Sequence, residues 1–181
     1  MKTLKEPWAT CGLKISTRDL TRLLPDAGLE LPQRYVEIAS EIGFPYFEDG
    51  MYFDVSWSRI DGQRMKTDEQ ENLVLELLLL VFSGAVTIEE MLGQIRHWST
   101  RLGRPVLPSH YFPFARDAFT THLLFDLSPE RHGQIYAWPP ILDPWGEEEN
   151  KYIGFVADSL DDFLFNRLRD ESTDDFVPGA G

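Results

Sequence analysis

Hydrophobic positions follow two different rhythms along this chain. In the first half they recur at helical spacing. Ser16 can cap a short helix through Leu24, closed by Pro25. Leu31-Pro32 opens a second helix, in which Tyr35, Ile38, Ala39 and Ile42 fall on one face and Gly43 suits the C-cap. Phe44–Phe47 and Met51–Trp57 flank Glu48-Asp49-Gly50 and predict a hairpin. Thr67 with Gln70 forms a capping box for a helix to about Phe82. Thr87 with Glu90 forms another, for a helix to about Leu102 with Gly103 beyond it and Met91, Ile95, Trp98 and Leu102 facing inward.

The second half reads as strand. Tyr111–Ala115 contains Pro113, which places it on an edge or at a bulge. Thr121–Leu127 and Gln134–Trp138 flank a turn at residues 128–133, Tyr152–Ala157 is a third strand, and Asp158 or Ser159 caps a last helix with a stripe at Leu160, Phe163, Leu164 and Leu168. Helices, then an antiparallel meander, then a helix predict an α+β fold: one domain with a central antiparallel sheet flanked by helices. The expected division is an N-terminal arm at 1–15, the domain at 16–169, and an acidic, disordered tail at 170–181.

Charge narrows the choice of partner. Of 181 residues, 17 are Lys or Arg and 30 are Asp or Glu, a net charge of −13. Residues 147–175 alone carry ten acidic against three basic side chains. Such a chain lacks the cationic surface that releases counterions from nucleic-acid phosphates, and it is repelled by anionic lipid. A protein partner with a basic surface is the better expectation, with no nucleic acid and no membrane. Leu73–Phe82, the most apolar run, is too short to span a bilayer and is interrupted by Glu76. The start of the chain lacks the apolar core of a secretory signal, and the single cysteine, Cys11, fits a reducing compartment. The expectation is a soluble, cytoplasmic protein.

Candidate chemistry is sparse. His97, His110, His122 and His132 show no zinc-site spacing. His97, next to an inward Trp98, reads as a surface or boundary side chain. His122 and Asp126 share a strand face, as a ligand pair or as ordinary polar surface. Cys11 has no base or oxyanion donor specified nearby, and no nucleophile elbow, P-loop or dinucleotide fingerprint occurs. The pairs Asp68-Glu69, Glu89-Glu90, Asp161-Asp162 and Asp174-Asp175 fall in helix first turns or the tail, where dipole and solvent account for them. No catalytic residue, cofactor or metal is expected. The informative stretch is the loop between the last two strands. Trp138, Trp145 and Tyr152 with Glu147, Glu148 and Glu149 form an aromatic and acidic set suited to a basic protein surface, stiffened by Pro139-Pro140 and Pro144. The competing reading packs Trp138 in the core and leaves the glutamates as a solvated loop.

Several blocks carry a resemblance. Leu31-Pro32-Gln33-Arg34-Tyr35 resembles the helix start of the SUKH superfamily, which includes a fungal cell-wall assembly regulator and many bacterial toxin-immunity proteins. Phe112–Asp117, Leu123–Ser128, Gly133–Trp138 and Val156–Leu164 are similar to its later blocks, in the same order. The Asn-Gly-Gly often seen after the first helix is replaced by Glu41-Ile42-Gly43-Phe44, and Leu160 stands for a phenylalanine. The resemblance implies an α+β fold, no catalysis, and an intracellular binder that neutralises a cognate toxin, nucleic-acid-targeting types being frequent. Two other readings remain beside it. One is a non-catalytic regulatory scaffold that self-associates, with Leu77–Phe82 feeding a dimer contact. The other is a hydrolase or metal enzyme using scattered acidic residues and histidines.

Overall fold

Ser16 accepts a hydrogen bond from the Asp19 N–H (3.1 Å) and so starts the first helix, α1 (Thr17–Leu23), where the sequence places it. In this computed structural model, residues 9–10, 12–26, 28–46, 51–60, 62–64, 80–82, 84–117, 121–139 and 152–170 are described. Helix α2 (Gln33–Glu37) begins behind Pro32 and continues as a π turn, Ile38–Ile42. The Gly43 N–H closes that turn on the Ile38 carbonyl (2.8 Å) at a φ of 99°, a conformation that favours glycine. The long helix α3 (Ala85–Leu102) ends at left-handed Gly103 as expected. It starts two residues before Thr87, so Thr87 lies inside it and is not its cap. Helix α4 (Leu160–Asp162) is capped by Ser159 and runs into a second π turn, Phe163–Arg167.

Among the described residues the strands are β1 (Ala9–Thr10), β2 (Pro45–Tyr46), β3 (Met51–Tyr52), β4 (Ser56–Arg59), β5 (Leu80–Phe82), β6 (Tyr111–Asp117), β7 (His122–Asp126), β8 (Ile135–Trp138), β9 (Tyr152–Ala157) and β10 (Arg169–Asp170). Six of them build one antiparallel sheet in the order β4-β9-β8-β7-β6-β5. The fold is therefore α+β, with a central antiparallel sheet. The register of β6 shifts between Pro113 and Ala115, the bulge that its proline requires.

Two expectations change. Among the described residues β2 pairs with β1 and β3 with β10, not with each other, and the expected hairpin turn at residues 48–50 lies outside the described residues. The helix expected to reach Phe82 does not do so: Leu80–Phe82 is an edge strand on β6, its β-branched and aromatic residues suiting a sheet, while residues 65–79 lie outside the described residues. Of the stretch Leu77–Phe82 named for a dimer contact, residues 77–79 lie outside the described residues. Leu13 accepts from the Phe44 N–H (3.2 Å), and Ile15 is buried and donates to the Ala39 carbonyl (2.8 Å), so these two residues of the N-terminal arm pack on the body. Asp170 belongs to a strand; residues 171–181 lie outside the described residues.

The period of two along the strands gives the sheet two apolar faces. Leu123 and Phe125 of β7 and Ile135 and Ala137 of β8 join the first core, with Tyr35, Ile38, Phe112, Phe114 and Phe163. Leu124, Tyr136 and Trp138 point the other way and join Val106, Leu107, Tyr111 and Ile153. Helix α3 serves both: Ile88, Met91 and Leu92 sit in the first core, Ile95, Trp98 and Leu102 against the second.

Tyr35 lies at the centre of the first core, its ring 5.1 Å from Phe125 and 5.8 Å from Phe114. Its hydroxyl is buried with no hydrogen-bond partner among the described residues. Burial pushes the phenol far above its ordinary range. Tyr35→Phe is expected to raise stability at neutral pH by about 1 kcal/mol, by removing a desolvated hydroxyl. The folded pKa is raised, so the stability is fully present below the unfolded value of about 10 and falls as pH rises above it. The variant is expected to flatten that alkaline decline. Urea titrations from pH 7 to 11 measure both effects.

Candidate functional site

The loop that holds most of the candidate binding residues leaves from the end of β8 and returns at the start of β9. Its middle, with Trp145, Glu147, Glu148 and Glu149, lies outside the described residues, as does Cys11. Its two roots are described. They belong to neighbouring strands, Ala137 pairing with Gly154, so the loop starts and ends at one end of the sheet. Tyr152, half-buried at the start of β9, stands opposite Arg59 of β4. Arg116, exposed on β6, pairs with His122, and His122 pairs with Trp138. Two arginines thus stand at the same end of the sheet as the roots of the acidic loop.

Trp138 is a correction. It is fully buried, packs edge-on against His122 at 5.6 Å, and has no indole hydrogen-bond partner among the described residues. A ring closed off by Leu124, Tyr136 and Ile153 has no surface to offer a partner, so Trp138 anchors the root of the loop. Alternation explains this: Trp138 shares the face of Tyr136, and that face is covered. The structure does not bring Trp138 and Tyr152 together as one exposed aromatic pair.

The opposite end of the sheet carries a polar cluster centred on Asp126, whose carboxylate is fully buried. Oδ1 accepts from the Ser128 N–H (2.9 Å), and His110 Nε2 lies 3.7 Å away. Arg131 Nε approaches Oδ2 to 3.1 Å, an ion pair off the line of a hydrogen bond. The charge of Asp126 raises the pKa of the half-exposed Arg131. Burial, helped by the same charge, pushes the Tyr111 phenol upward and keeps it protonated. Burial likewise raises Tyr136, whose hydroxyl donates to Gln134 Oε1 (3.0 Å). These contacts hold the turn at residues 128–133 against the strand ends and give the carboxylate a structural task. Neither reading of His122 and Asp126 as polar surface or as a ligand pair describes them. Both are buried, His122 edge-on against Trp138 and Asp126 held by Ser128 and Arg131. The signal for the cluster was present in Asp126-Leu127-Ser128, since an aspartate two residues before an N–H is the grammar of an Asx turn.

The other histidines separate. His97 is exposed on α3, in T-shaped contact with Trp98, and His132 places a ring nitrogen 2.9 Å from the Glu30 carbonyl. No three His, Cys, Asp or Glu side chains gather in a metal-ligating group among the described residues, and no helix there is long and apolar enough to cross a membrane.

A single antiparallel sheet, packed by helices on one side and bridged by α3 to the other, defines an α+β protein with its most chemically distinct segment in a strand-connecting loop. The chain belongs to the SMI1 / KNR4 family (SUKH-1), whose family model matches residues 14–166. Among curated proteins and among solved structures, no match was found. Membership is consistent with immunity or regulatory roles, and the family is associated with protein–protein interaction.

Proposed function

We propose that this chain is a cytoplasmic immunity-type binding protein that neutralises a cognate toxin by direct contact, without catalysis. The observation that carries the reading is SUKH-1 membership across residues 14–166, in a chain with a net charge of −13. A toxin that acts on nucleic acid carries a basic surface, and opposite charge speeds its capture. The contact region is the loop between β8 and β9, with Trp145, Glu147, Glu148, Glu149 and Tyr152 as its partner-facing residues. Loops at the ends of rigid sheets commonly carry recognition, and the prolines of this one limit the entropy lost on binding.

The test is co-expression with a toxin encoded by a neighbouring gene, where the neighbourhood holds one, followed by binding kinetics. Changing Glu147, Glu148 and Glu149 together to alanine is expected to slow association and to flatten its salt dependence, because rim charges act mainly on the encounter. Trp145→Ala is expected to speed dissociation, at a cost of about 2 kcal/mol. Failure of the neighbouring toxin to bind the wild-type chain would sink the reading. Wild-type kinetics in both variants would move the contact to another surface.

A further inference from the structure

We infer that the exposed side of the C-terminal half of α3 is a docking surface for an acidic, extended segment of a partner protein. From Met91 to Arg116 the chain has no Asp or Glu, in a protein with 30 of them and a net charge of −13. The same stretch carries Arg96, Arg101, Arg104 and Arg116. The helix dipole accounts for a cation in the last turn, such as Arg101, but not for an acid-free run that continues past the helix through β6 to Arg116. Arg101 is engaged: its guanidinium lies 5.3 Å from the centre of the Trp98 ring and has a further contact. Arg96 and Arg104 are exposed and form no ion pair among the described residues.

Both arginines stand on a fixed backbone. Arg96 lies beside open ground: a Cβ at Gly93, one turn earlier, would meet only Arg96 Nη2, at 3.9 Å. Arg104 is held where the chain leaves the helix at Gly103, its N–H donating to the Ser99 carbonyl (3.2 Å), while the Val106 N–H donates to Ser99 Oγ (3.2 Å). The backbones of Arg96 and Arg104 are about two helical turns, or 11 Å, apart. An extended chain advances about 3.3 Å per residue, so acidic side chains four residues apart on one of its faces stand about 13 Å apart, within reach of the two long side chains. Each guanidinium can hold a carboxylate through two parallel N–H groups. Glu89 and Glu90, exposed nearer the start of the helix, repel an acidic chain there and so confine it to the C-terminal half. A strand of nucleic acid would want open aromatic rings beside the cations. Trp98 is half-buried beneath Arg101, and the described residues of this half-helix offer no exposed Phe, Tyr or Trp. That and the net charge of −13 favour the sparser charge of an acidic polypeptide over a phosphate backbone.

This surface stands whether or not the loop between β8 and β9 contacts a toxin. Its test is a nitrogen-15 NMR titration of the full chain at low salt with a ten-residue peptide of alternating Glu and Ser, blocked at both ends so that its carboxylates share one face. Shifts are expected to concentrate on the amides of residues 93–104 and on Nε of Arg96 and Arg104, and to fade as salt is added. R96E/R104E is expected to weaken binding about tenfold or more, and R96Q/R104Q, which removes charge without reversing it, by less. R18E/R64E, which reverses two other exposed arginines, is expected to bind like the wild type. Circular dichroism checks that the variants are folded. Absence of shifts at millimolar peptide, shifts spread equally over Arg18 and Arg64, or wild-type binding by R96E/R104E would each overturn the proposal. So would an oligonucleotide of equal charge that binds the same residues more tightly than the peptide, since the partner would then be a nucleic acid.

Discussion

Replacement of Trp138 by alanine is expected to cost about 3–5 kcal/mol of stability, the range for removing a large aromatic ring from a packed core. The ring is fully buried among Val106, Leu107, Leu124, Tyr136 and Ile153, and His122 rests against its edge. A small domain has about 5–15 kcal/mol in total, so this one change consumes a large share of it. The measurement is urea denaturation followed by far-ultraviolet circular dichroism, and a loss below about 1 kcal/mol would contradict the packing described. Trp145→Ala provides the contrast. In the proposed binding loop it is expected to leave the denaturation midpoint in place and to change only the partner's off-rate. The pair of variants separates a tryptophan that holds the loop's root from one that contacts a partner.

The second large effect is expected at Gly154. This residue of β9 pairs with Trp57 of β4, and the Trp57 ring lies over the space that a side chain would need. A Cβ built on Gly154 would stand 2.9 Å from Trp57 Cε3 and collide outright with Val55 Cγ1. Gly154→Ala is therefore expected to displace the edge strand β4 and to cost about 1–3 kcal/mol or more, as overpacking does. Val55→Ala introduced alongside is expected to recover part of that loss, because the two sites share one volume. A double-mutant cycle in thermal or urea unfolding measures the coupling, and strictly additive effects would rule out the clash as the cause.

Much of the architecture was legible in local chemistry. Ser16 and Ser159 cap their helices, Gly43 and Gly103 end theirs, and the alternation from Thr121 to Trp138 gives two of the central strands their faces. What local chemistry does not contain is pairing over long distances in the sequence. Met51 and Tyr52 look like one arm of a hairpin with Pro45 and Tyr46, but β2 is taken by Ala9–Thr10 and β3 by Arg169–Asp170, more than 100 residues further on. Leu80–Phe82 satisfies a helical pattern as well as a strand pattern, and the free edge of β6 decides between them. For the site, sequence placed the loop at a sheet end through the strands that bound it. It could not show that Trp138 belongs to the core, because only the covering of one sheet face reveals it, and Trp145 lies outside the described residues. The Asp126 cluster was legible in part: the turn that brings Arg131 to Asp126 is local, but His110 flanks Asp126 only after β6 and β7 have paired.

The pairing of β4 with β9 has a consequence for synthesis. Ser58 donates its hydroxyl to the Ile153 carbonyl across 95 residues of chain, and Arg169 reaches Asp54 across 115. The ribosome supplies about 5–20 residues per second, so β3 and β4 wait several seconds or longer for the strands that complete them. Through that interval Trp57 has no Gly154 to cover, and one edge of the nascent sheet has no neighbour. The N-terminal half thus stays without its completing strands until residues 152–170 have been made.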